Sequence, residues 1–450
     1  MNKLKNKKGI TLVALVVTIV VLLILAGASI NLILGDNGII AKAQEAQRKS
    51  AEATQNDLIG MNELAQQLEE QINGSAGSGS GNGGAGGSGT GTKVPAEATA
   101  ETAPYFPDNT FTKKEGTIDT GLVIQDASGN EYVWVVVPKS LYNNTAYNSN
   151  NAKKPSSSTD YANIEYCLQQ YTATYRNGTD YSDTYAADTD NVGWLTSDEY
   201  TELKNSMLKS VYENGGFYVG RYEAGIGTNR TSAGPTNSDG KYTIEGMPTP
   251  VTKADAYPYT YVTRTQAQNL ASNVNSETKT SSLMFGVQWD LVLAFMSKDT
   301  EKINQDTLEE LISNSTTIGN YYNSAFDLNR GKYAQFGKLG NTWNNFDSAL
   351  GSIVVSNETT GKMKKTEQSS YSNSILLTTG GTEQSNVMNI YDIAGNVWEW
   401  TLEKTSGGSG PCADRGGGYS NRGSNGPAAY RDDSNTTSAY ADVGFRLSLW

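Results

Sequence analysis

The sequence predicts a mixed α+β head domain over residues 105–450, joined through a flexible linker to a long N-terminal α-helix. Two observations indicate the helix and the linker: an uncharged apolar run at 10–34, and a stretch at 73–92 that is almost entirely Gly, Ser, Ala and Asn. The third observation is the mixture of short helical and strand patterns after residue 105. Long polar loops separate these patterns, which is typical of an irregular α+β domain.

The N-terminal apolar run meets the requirements of a membrane-spanning helix. Four lysines precede Gly9, and no charge follows until Asp36. Roughly twenty apolar residues cross a bilayer core, and the flanking lysines place this end of the helix in the cytoplasm. Helical spacing of apolar residues resumes over 39–72. A plain membrane anchor is one alternative. A cleaved secretory signal is another, disfavoured because the run is too long and no small-x-small cleavage site follows it.

The N-terminus also carries a recognisable motif. Lys7-Lys8-Gly9 followed by Ile10 resembles the processing site of type IV prepilins, where a prepilin peptidase cuts after the glycine and the new N-terminal residue is methylated. The resemblance implies a leader at 1–9, processing at Gly9 and Ile10, and a pilin-like transmembrane and stalk helix at 10–72. It places the protein in a bacterial cell membrane, through residues 10–34, with the head outside the cell. Prepilin peptidase would be a partner.

One position departs from the prepilin pattern. Ala14 stands where major pilins carry a glutamate that sets the register between neighbouring subunits. Two interpretations therefore stay open: assembly with other pilin subunits into a filament, and a membrane-tethered monomer.

Residues 73–104 form a tether between the helix and the head. Chains of this composition stay disordered because they have little apolar surface to bury. Twenty such residues have a root-mean-square reach of roughly 25 Å. A phosphate-binding loop is excluded, because the stretch has neither the GxxxxGK[ST] pattern nor a strand–loop–helix setting.

Composition excludes several classes of function. The net charge of −12 argues against a nucleic-acid partner, since phosphate binding needs a basic surface. The chain has no histidine, which removes the usual zinc sites and Ser-His-Asp triads. The two cysteines, Cys167 and Cys412, allow one disulfide, although two unpaired thiols are the simpler interpretation.

Within the head, local patterns predict particular elements. Residues 122–124 and 132–137 read as a hairpin, and 217–223, 397–400 and 443–450 read as strands. Thr196 and Glu199 form a capping box that opens a helix through about Tyr212, and Thr263 and Gln266 open a second helix. Residues 287–296 indicate a third, largely buried helix. The polar stretch 140–190 reads as long surface loops.

The order of six segments resembles the formylglycine-generating-enzyme, or sulfatase-modifying-factor, family, which has a C-type-lectin-like fold. These segments are 130–134, 216–223, 288–295, 391–400, 415–419 and 444–446. The resemblance implies this fold for the whole head, 105–450. We expect Trp398, Trp400 and Phe445 to be core residues, and Asn396 and Glu399 to tie loops together.

The chemistry of that family is not expected here. Its oxidases bind copper through two cysteines, and alignment on 416–419 puts Asn421 and Gly426 at those positions. Copper(I) selects thiolate ligands, which Asn and Gly cannot replace. A related iron-dependent branch needs a histidine triad, and this chain has no histidine. We therefore predict no catalytic residues, no metal ligands and no cofactor, with a structural calcium ion left open.

Residues 419–442, here named the recognition segment, are rich in Tyr, Asn, Ser, Asp, Arg and Gly. The segment resembles the variable region of proteins diversified by retroelements, in which adenine-directed mutagenesis rewrites selected Asn codons; the corresponding region here is 415–446. In such a region Pro427, Arg431 and Gly444–Arg446 would be fixed framework. Tyr and Ser-rich surfaces also serve as antibody paratopes. The resemblance implies an extracellular protein or glycan ligand. The predicted ligand-binding residues are Tyr419, Asn421, Arg422, Ser424, Asn425, Tyr430, Asp432, Asp433, Ser434, Asn435, Tyr440 and Asp442.

Three alternatives accompany this hypothesis. The segment could be an ordinary polar loop that does not vary. The protein could be a minor pilin or pilus-tip component of fixed specificity. It could also be a metal-using enzyme in which Asp432, Asp433 and Asp442 hold a hard cation, although solvated acidic residues are the commoner explanation of such a cluster.

Overall fold

A computed structural model describes residues 97–176, 178–179, 182–227, 247–335, 343–405 and 410–450. All of them belong to one compact unit, Gly89–Trp450. The predicted leader, the stalk helix, Gly9, Ile10 and most of the linker lie outside these ranges. Within the described ranges, no helix is both long enough and apolar enough to cross a membrane.

The helices are short and lie mainly in the first half of the head. We number the α-helices α1 to α5: Tyr161–Tyr171, Ser197–Asn214, Arg264–Ser272, Gly286–Met296 and Glu309–Ile312. Four 3₁₀ helices are described as well: Lys139–Asn143, Ala173–Arg176, Tyr371–Asn373 and Glu383–Ser385.

The strands are numbered β1 to β18 in chain order. They are Thr112–Glu115, Val123–Gln125, Glu131–Val136, Gly216–Gly220, Gly225–Ile226, Tyr257–Pro258, Ser281–Ser282, Phe326–Asp327, Lys332–Gln335, Asn344–Asn345, Val354–Ser356, Met363–Lys365, Ile375–Leu377, Trp398–Lys404, Cys412–Arg415, Arg431–Ser434, Val443–Phe445 and Ser448–Leu449. A six-stranded sheet has the order β1-β2-β3-β4-β18-β7, and a four-stranded sheet has the order β16-β15-β14-β17. Smaller sheets are β10-β9-β13, β11-β12-β8 and β5-β6.

The helix boundaries follow the capping signals in the sequence. The Thr196 side chain accepts a hydrogen bond from the backbone of Glu199 and begins α2, which ends at Gly215 in the left-handed conformation, φ 67°. Thr263 and Gln266 make the same reciprocal contacts at the start of α3. These contacts satisfy backbone N–H groups that have no partner within the helix. Both helices are confirmed. The helix predicted at 287–296 is also confirmed: it is α4, and all of its residues are buried.

Two expectations about the head are wrong. The stretch 140–190 contains α1, whose Ile164, Cys167 and Leu168 are buried, as well as surface loops. These three residues follow the helical i, i+3, i+4 spacing, but too few apolar residues surround them for the pattern to stand out. The strand expected at 443–450 is divided: β17 joins the four-stranded sheet, whereas β18 lies between β4 and β7 in the six-stranded sheet.

A single large core joins the two main sheets and the helices. It includes Trp134 of β3, Trp289 of α4 and Trp400 of β14, all almost fully buried. The hairpin predicted from 122–137 is present as β2 and β3, paired in antiparallel fashion. Cys167 and Cys412 are both buried and unpaired, so no disulfide joins them.

Candidate ligand-binding surface

The recognition segment is attached at both ends to the four-stranded sheet. β14 pairs with β17 in parallel, with Trp398 opposite Val443 and Trp400 opposite Phe445. On its other side β14 pairs with β15, and β15 pairs with β16, the edge strand that the segment itself contributes. The segment therefore leaves the sheet after β15, returns as β16 and ends where β17 begins.

The turn that follows β15 requires glycine. Gly416 and Gly417 have φ values of 90° and 78°, in the region that favours glycine. A Cβ on Gly417 would lie 2.1 Å from the carbonyl oxygen of Gly426. The buried Tyr321 hydroxyl lies 2.9 Å from the Gly416 carbonyl oxygen and 2.8 Å from that of Gly426, and its single proton is shared between the two. These contacts fix the width of the loop between β15 and β16.

Trp398 holds the beginning of the segment. Its indole Nε1 donates to Oδ1 of Asn421 at 2.9 Å, and the same oxygen accepts from the Gly418 backbone at 3.0 Å. The Tyr430 ring packs edge-on against Trp398, with ring centroids 5.9 Å apart. Asn421 therefore fixes the loop, and its side-chain oxygen is already occupied.

A network of buried ion pairs contacts the core-facing side of β15 and β16. Arg415 contacts Asp290 at 2.8 Å and Glu403 at 3.1 Å, and Arg431 contacts Glu403 at 2.7 Å. Arg176 also reaches Asp290, at 2.7 Å. Burial alone would raise the pKa of Glu403, but the guanidinium groups of Arg431 and Arg415 hold it below its ordinary value. The framework role predicted for Arg431 agrees with this placement, since its side chain points into the network rather than to solvent.

The opposite side of the same strands carries acidic residues. Asp414 of β15 lies directly across from Asp432 of β16. Burial, and then the neighbouring Asp432 carboxylate, raise the pKa of Asp414 well above its ordinary value. Burial also raises the pKa of Asp432 and of Asp442, which accepts a hydrogen bond from Ser420 at 2.8 Å. Adjacent carboxylates in a partly dry site resist ionisation together.

The predicted binding residues fall into three groups. Tyr419 is fully buried, and burial raises its pKa well above the ordinary value, so this residue is removed from the proposed contact surface. Five residues are half-buried: Asp432, Asp433 and Ser434 on the edge strand β16, Asn421 in the loop before it, and Asp442 directly before β17. Six residues are exposed: Arg422, Ser424, Asn425, Tyr430, Asn435 and Tyr440.

Other parts of the chain contribute residues that sequence reasoning missed. The Arg422 guanidinium lies over the Tyr322 ring, 5.6 Å from its centroid, and bonds to the Tyr322 hydroxyl. Asn191 donates to the Thr436 carbonyl at 2.8 Å. Buried Lys365 donates to three carbonyl oxygens of the turn that carries Tyr322. No local sequence pattern predicts these contacts, because the residues are far from the segment in sequence and become its neighbours only in the folded chain.

The residues considered as possible metal ligands are spread over the head. Asn421 and Gly426, the positions compared with copper ligands in the sequence analysis, lie in the loop just described. Cys412 is buried in β15 and Cys167 in α1. In the described part of the chain, no three or more His, Cys, Asp or Glu side chains are arranged to hold a metal ion. Asp432, Asp433 and Asp442 therefore gain no support as a metal site.

Comparisons with known proteins address the second half of the head. A family model described as the sulfatase-modifying factor enzyme 1-like domain matches residues 325–449, which include the recognition segment. The likeness predicted for this part of the head is confirmed, and the described fold is mixed α and β as expected. No curated protein matches the chain.

Two solved structures are similar over about half of the chain. The first is described as the crystal structure of CarF, with a TM-score of 0.27, 15% identity, and coverage of 52% of this chain and 85% of the other. The second is Treponema denticola variable protein 1, with a TM-score of 0.26, 14% identity, and coverage of 52% and 84%.

Proposed function

We propose that this protein is a non-catalytic binding protein whose recognition segment contacts an extracellular protein or glycan. The observation that carries the proposal is that the segment combines exposed side chains with buried ones that hold it in place. Exposed side chains such as Tyr430 and Tyr440 stand on a strand and loops whose inward residues are fixed by buried hydrogen bonds and ion pairs. A rigid frame lowers the entropic cost of binding, and Tyr offers a large contact area with few rotatable bonds.

The proposed absence of catalysis rests on the chain's own residues. Asn421 and Gly426 occupy the positions where the related oxidases have copper-binding cysteines, and neither side chain can act as a thiolate. The iron-dependent branch is excluded on similar grounds, since the sequence has no histidine.

We also propose that the segment is diversified by a retroelement, with a fixed-specificity adhesin, minor pilin or pilus-tip component as the alternative. The exposed positions include Asn425 and Asn435, together with Ser424 and Tyr430, which are residues that adenine-directed changes produce from Asn codons. The buried positions would be held constant, because substitution there would disturb the frame.

The N-terminal motif completes the proposal. Processing after Gly9 would leave Ile10 as the new N-terminus of a pilin-like helix, with residues 10–34 in the bacterial membrane and the head outside the cell. Prepilin peptidase would be the processing partner, and other pilin subunits would be partners in a filament. Intact-mass analysis of the membrane fraction tests this: a chain that begins at a methylated Ile10 supports it, and one that begins at Met1 contradicts it.

Binding by the segment is tested on microarrays of extracellular proteins and glycans. The probes are the wild-type protein and the variant Arg422→Ala/Tyr430→Ala/Tyr440→Ala. Truncating Tyr or Arg side chains at the centre of an interface costs about 2 kcal/mol each, or more than tenfold in affinity. We expect the wild-type signals to disappear in the triple variant.

The matched control is Tyr371→Ala. The Tyr371 ring is 56% exposed, compared with 51% for Tyr440 and 38% for Tyr430, but it lies outside the segment. Its variant should keep the wild-type signals. Wild-type signals that survive the triple variant would show that the segment is not the binding surface.

A further inference from the structure

A cavity in the head lies apart from the recognition segment. It has a volume of about 440 Å³ and is lined by residues that include Arg221, Arg330, Glu131, Glu383, Asn386 and Asn389. This volume falls within the range of about 300–1,000 Å³ that is usual for small-molecule sites. None of its lining residues belongs to 419–442. We name it the arginine cleft.

The charges in the arginine cleft balance one another. Arg221 pairs with Glu131 at 2.8 Å and also with Glu115, Lys114 pairs with Glu131, and Arg330 pairs with Glu383. The cleft therefore contains three cationic and three anionic side chains, all engaged with each other. A charged ligand would have to compete with these pairs, and breaking the Arg221–Glu131 pair, which is buried on both sides, would carry a desolvation cost. A neutral ligand would leave them intact.

Two buried polar atoms in the cleft have no partner among the described residues. One is Nε of Arg221, a residue only 5% exposed, and the other is Oδ1 of Asn386. The orientation of the Asn386 amide is fixed, because its nitrogen donates to the Glu383 carboxylate at 3.2 Å, and a carboxylate can only accept. Arg221 and Asn386 both line the cleft, so its wall contains one unused donor and one unused acceptor, each covered by neighbouring side chains. Buried polar groups of this kind are rarely left unpaired.

The side chains around these atoms are held firmly. The Tyr222 and Tyr391 rings are stacked, with centroids 4.9 Å apart, and the Arg221 guanidinium lies 5.5 Å from the centroid of Tyr391. Asn389 accepts from Arg221 at 3.3 Å and donates to the Gly121 carbonyl at 2.8 Å. The polar groups are therefore positioned before any ligand arrives.

We propose that the arginine cleft binds a neutral polyhydroxylated ligand, namely a sugar residue. A hydroxyl group both donates and accepts, so a ligand with several hydroxyls carries partners for both the Arg221 donor and the Asn386 acceptor. The predominantly polar lining disfavours an apolar ligand. An adjoining hollow of about 420 Å³ shares Asn386 and Asn389 and leaves room for a second sugar unit.

The test uses the full-length protein in detergent and saturation-transfer NMR. The probes are D-glucose, D-galactose, D-mannose and N-acetylglucosamine at about 10 mM, a concentration suited to millimolar affinity. Phosphate, acetate and methylammonium are the charged comparison probes. We expect at least one neutral sugar to bind. Asn386→Ala and Arg221→Lys, the latter of which keeps the charge but removes Nε, should each weaken that binding about tenfold.

The remaining outcomes are equally informative. Failure of all four sugars to bind, or binding of the charged probes alone, would overturn the proposal. Sugar binding that survives both substitutions would place the site elsewhere and overturn it as well. Tyr430→Ala/Tyr440→Ala should leave the signal unchanged, so this proposal and the one for the recognition segment fail independently.

Discussion

Replacing Arg415 by Met tests the frame on which the recognition segment rests. The guanidinium group is fully buried between Asp290 and Glu403. Removing one member of a buried ion pair typically costs about 3–5 kcal/mol. Here Asp290 retains Arg176 at 2.7 Å and Glu403 retains Arg431 at 2.7 Å, so neither carboxylate is left alone. The ion-pair loss should therefore lie at the lower end, about 3 kcal/mol.

The same substitution removes two further contacts. Arg415 Nε donates to the Tyr430 carbonyl at 3.2 Å, and its terminal nitrogen donates to the Ala429 carbonyl at 3.4 Å. Each lost hydrogen bond adds about 0.5–1.5 kcal/mol. We expect the free energy of unfolding to fall by about 4–6 kcal/mol in total.

Urea denaturation followed by tryptophan fluorescence measures this loss. With a slope of about 3 kcal/mol per molar urea, the midpoint should fall by about 1–2 M. The control is Arg422→Met, which removes the same group from an exposed position in the segment and should change stability by no more than about 0.5 kcal/mol. A loss below about 1 kcal/mol for Arg415→Met would refute the view that the buried network holds the segment.

Two further substitutions probe the same frame. Burial and the neighbouring Asp432 raise the folded-state pKa of Asp414, so the stability of the wild-type protein declines as pH rises above about 4. Asp414→Asn has no charge to bury and should therefore stabilise the protein at pH 7.5. Thermal unfolding should show the difference shrinking towards pH 4, and an unstabilised variant at pH 7.5 would contradict this reasoning. Lys365→Met removes the donor that lies 2.7 and 2.6 Å from the carbonyl oxygens of Tyr321 and Ser324. The Tyr321 carbonyl keeps the Ser324 backbone N–H at 3.1 Å, whereas the Ser324 carbonyl loses its donor. Stability should fall by about 2–4 kcal/mol in urea denaturation, and a neutral result would mean that water replaces the lysine.

Local signals in the sequence were enough to place several elements of the fold. The capping boxes at Thr196 and Thr263 fixed the starts of α2 and α3, because the contacts involved span only three residues. The strand at 397–400 was predicted from its alternation and is present as β14, although both faces of β14 are buried. Trp398, Trp400 and Phe445 are core residues, as expected.

The contacts that define the candidate surface could not be predicted in this way. Tyr419 has the composition of a contact residue, yet it faces inward because the glycine turn at 416–417 directs it into the core. Tyr322 and Asn191 reach the segment from about 100 and 245 positions away in sequence. Such long-range contacts depend on topology, and neither residue type nor spacing encodes them locally.

Sequencing the 3′ end of the gene from many cells of one population tests whether the recognition segment is a diversified binding surface. We expect substitutions at codons of exposed residues such as 422, 424, 425, 430, 435 and 440, together with an unchanged frame at Gly417, Pro427, Arg431 and Arg446. A nearby near-copy of the region and a reverse transcriptase gene should accompany them. Uniform codons across the population, or substitutions that fall equally on the buried frame, would contradict a diversified binding surface.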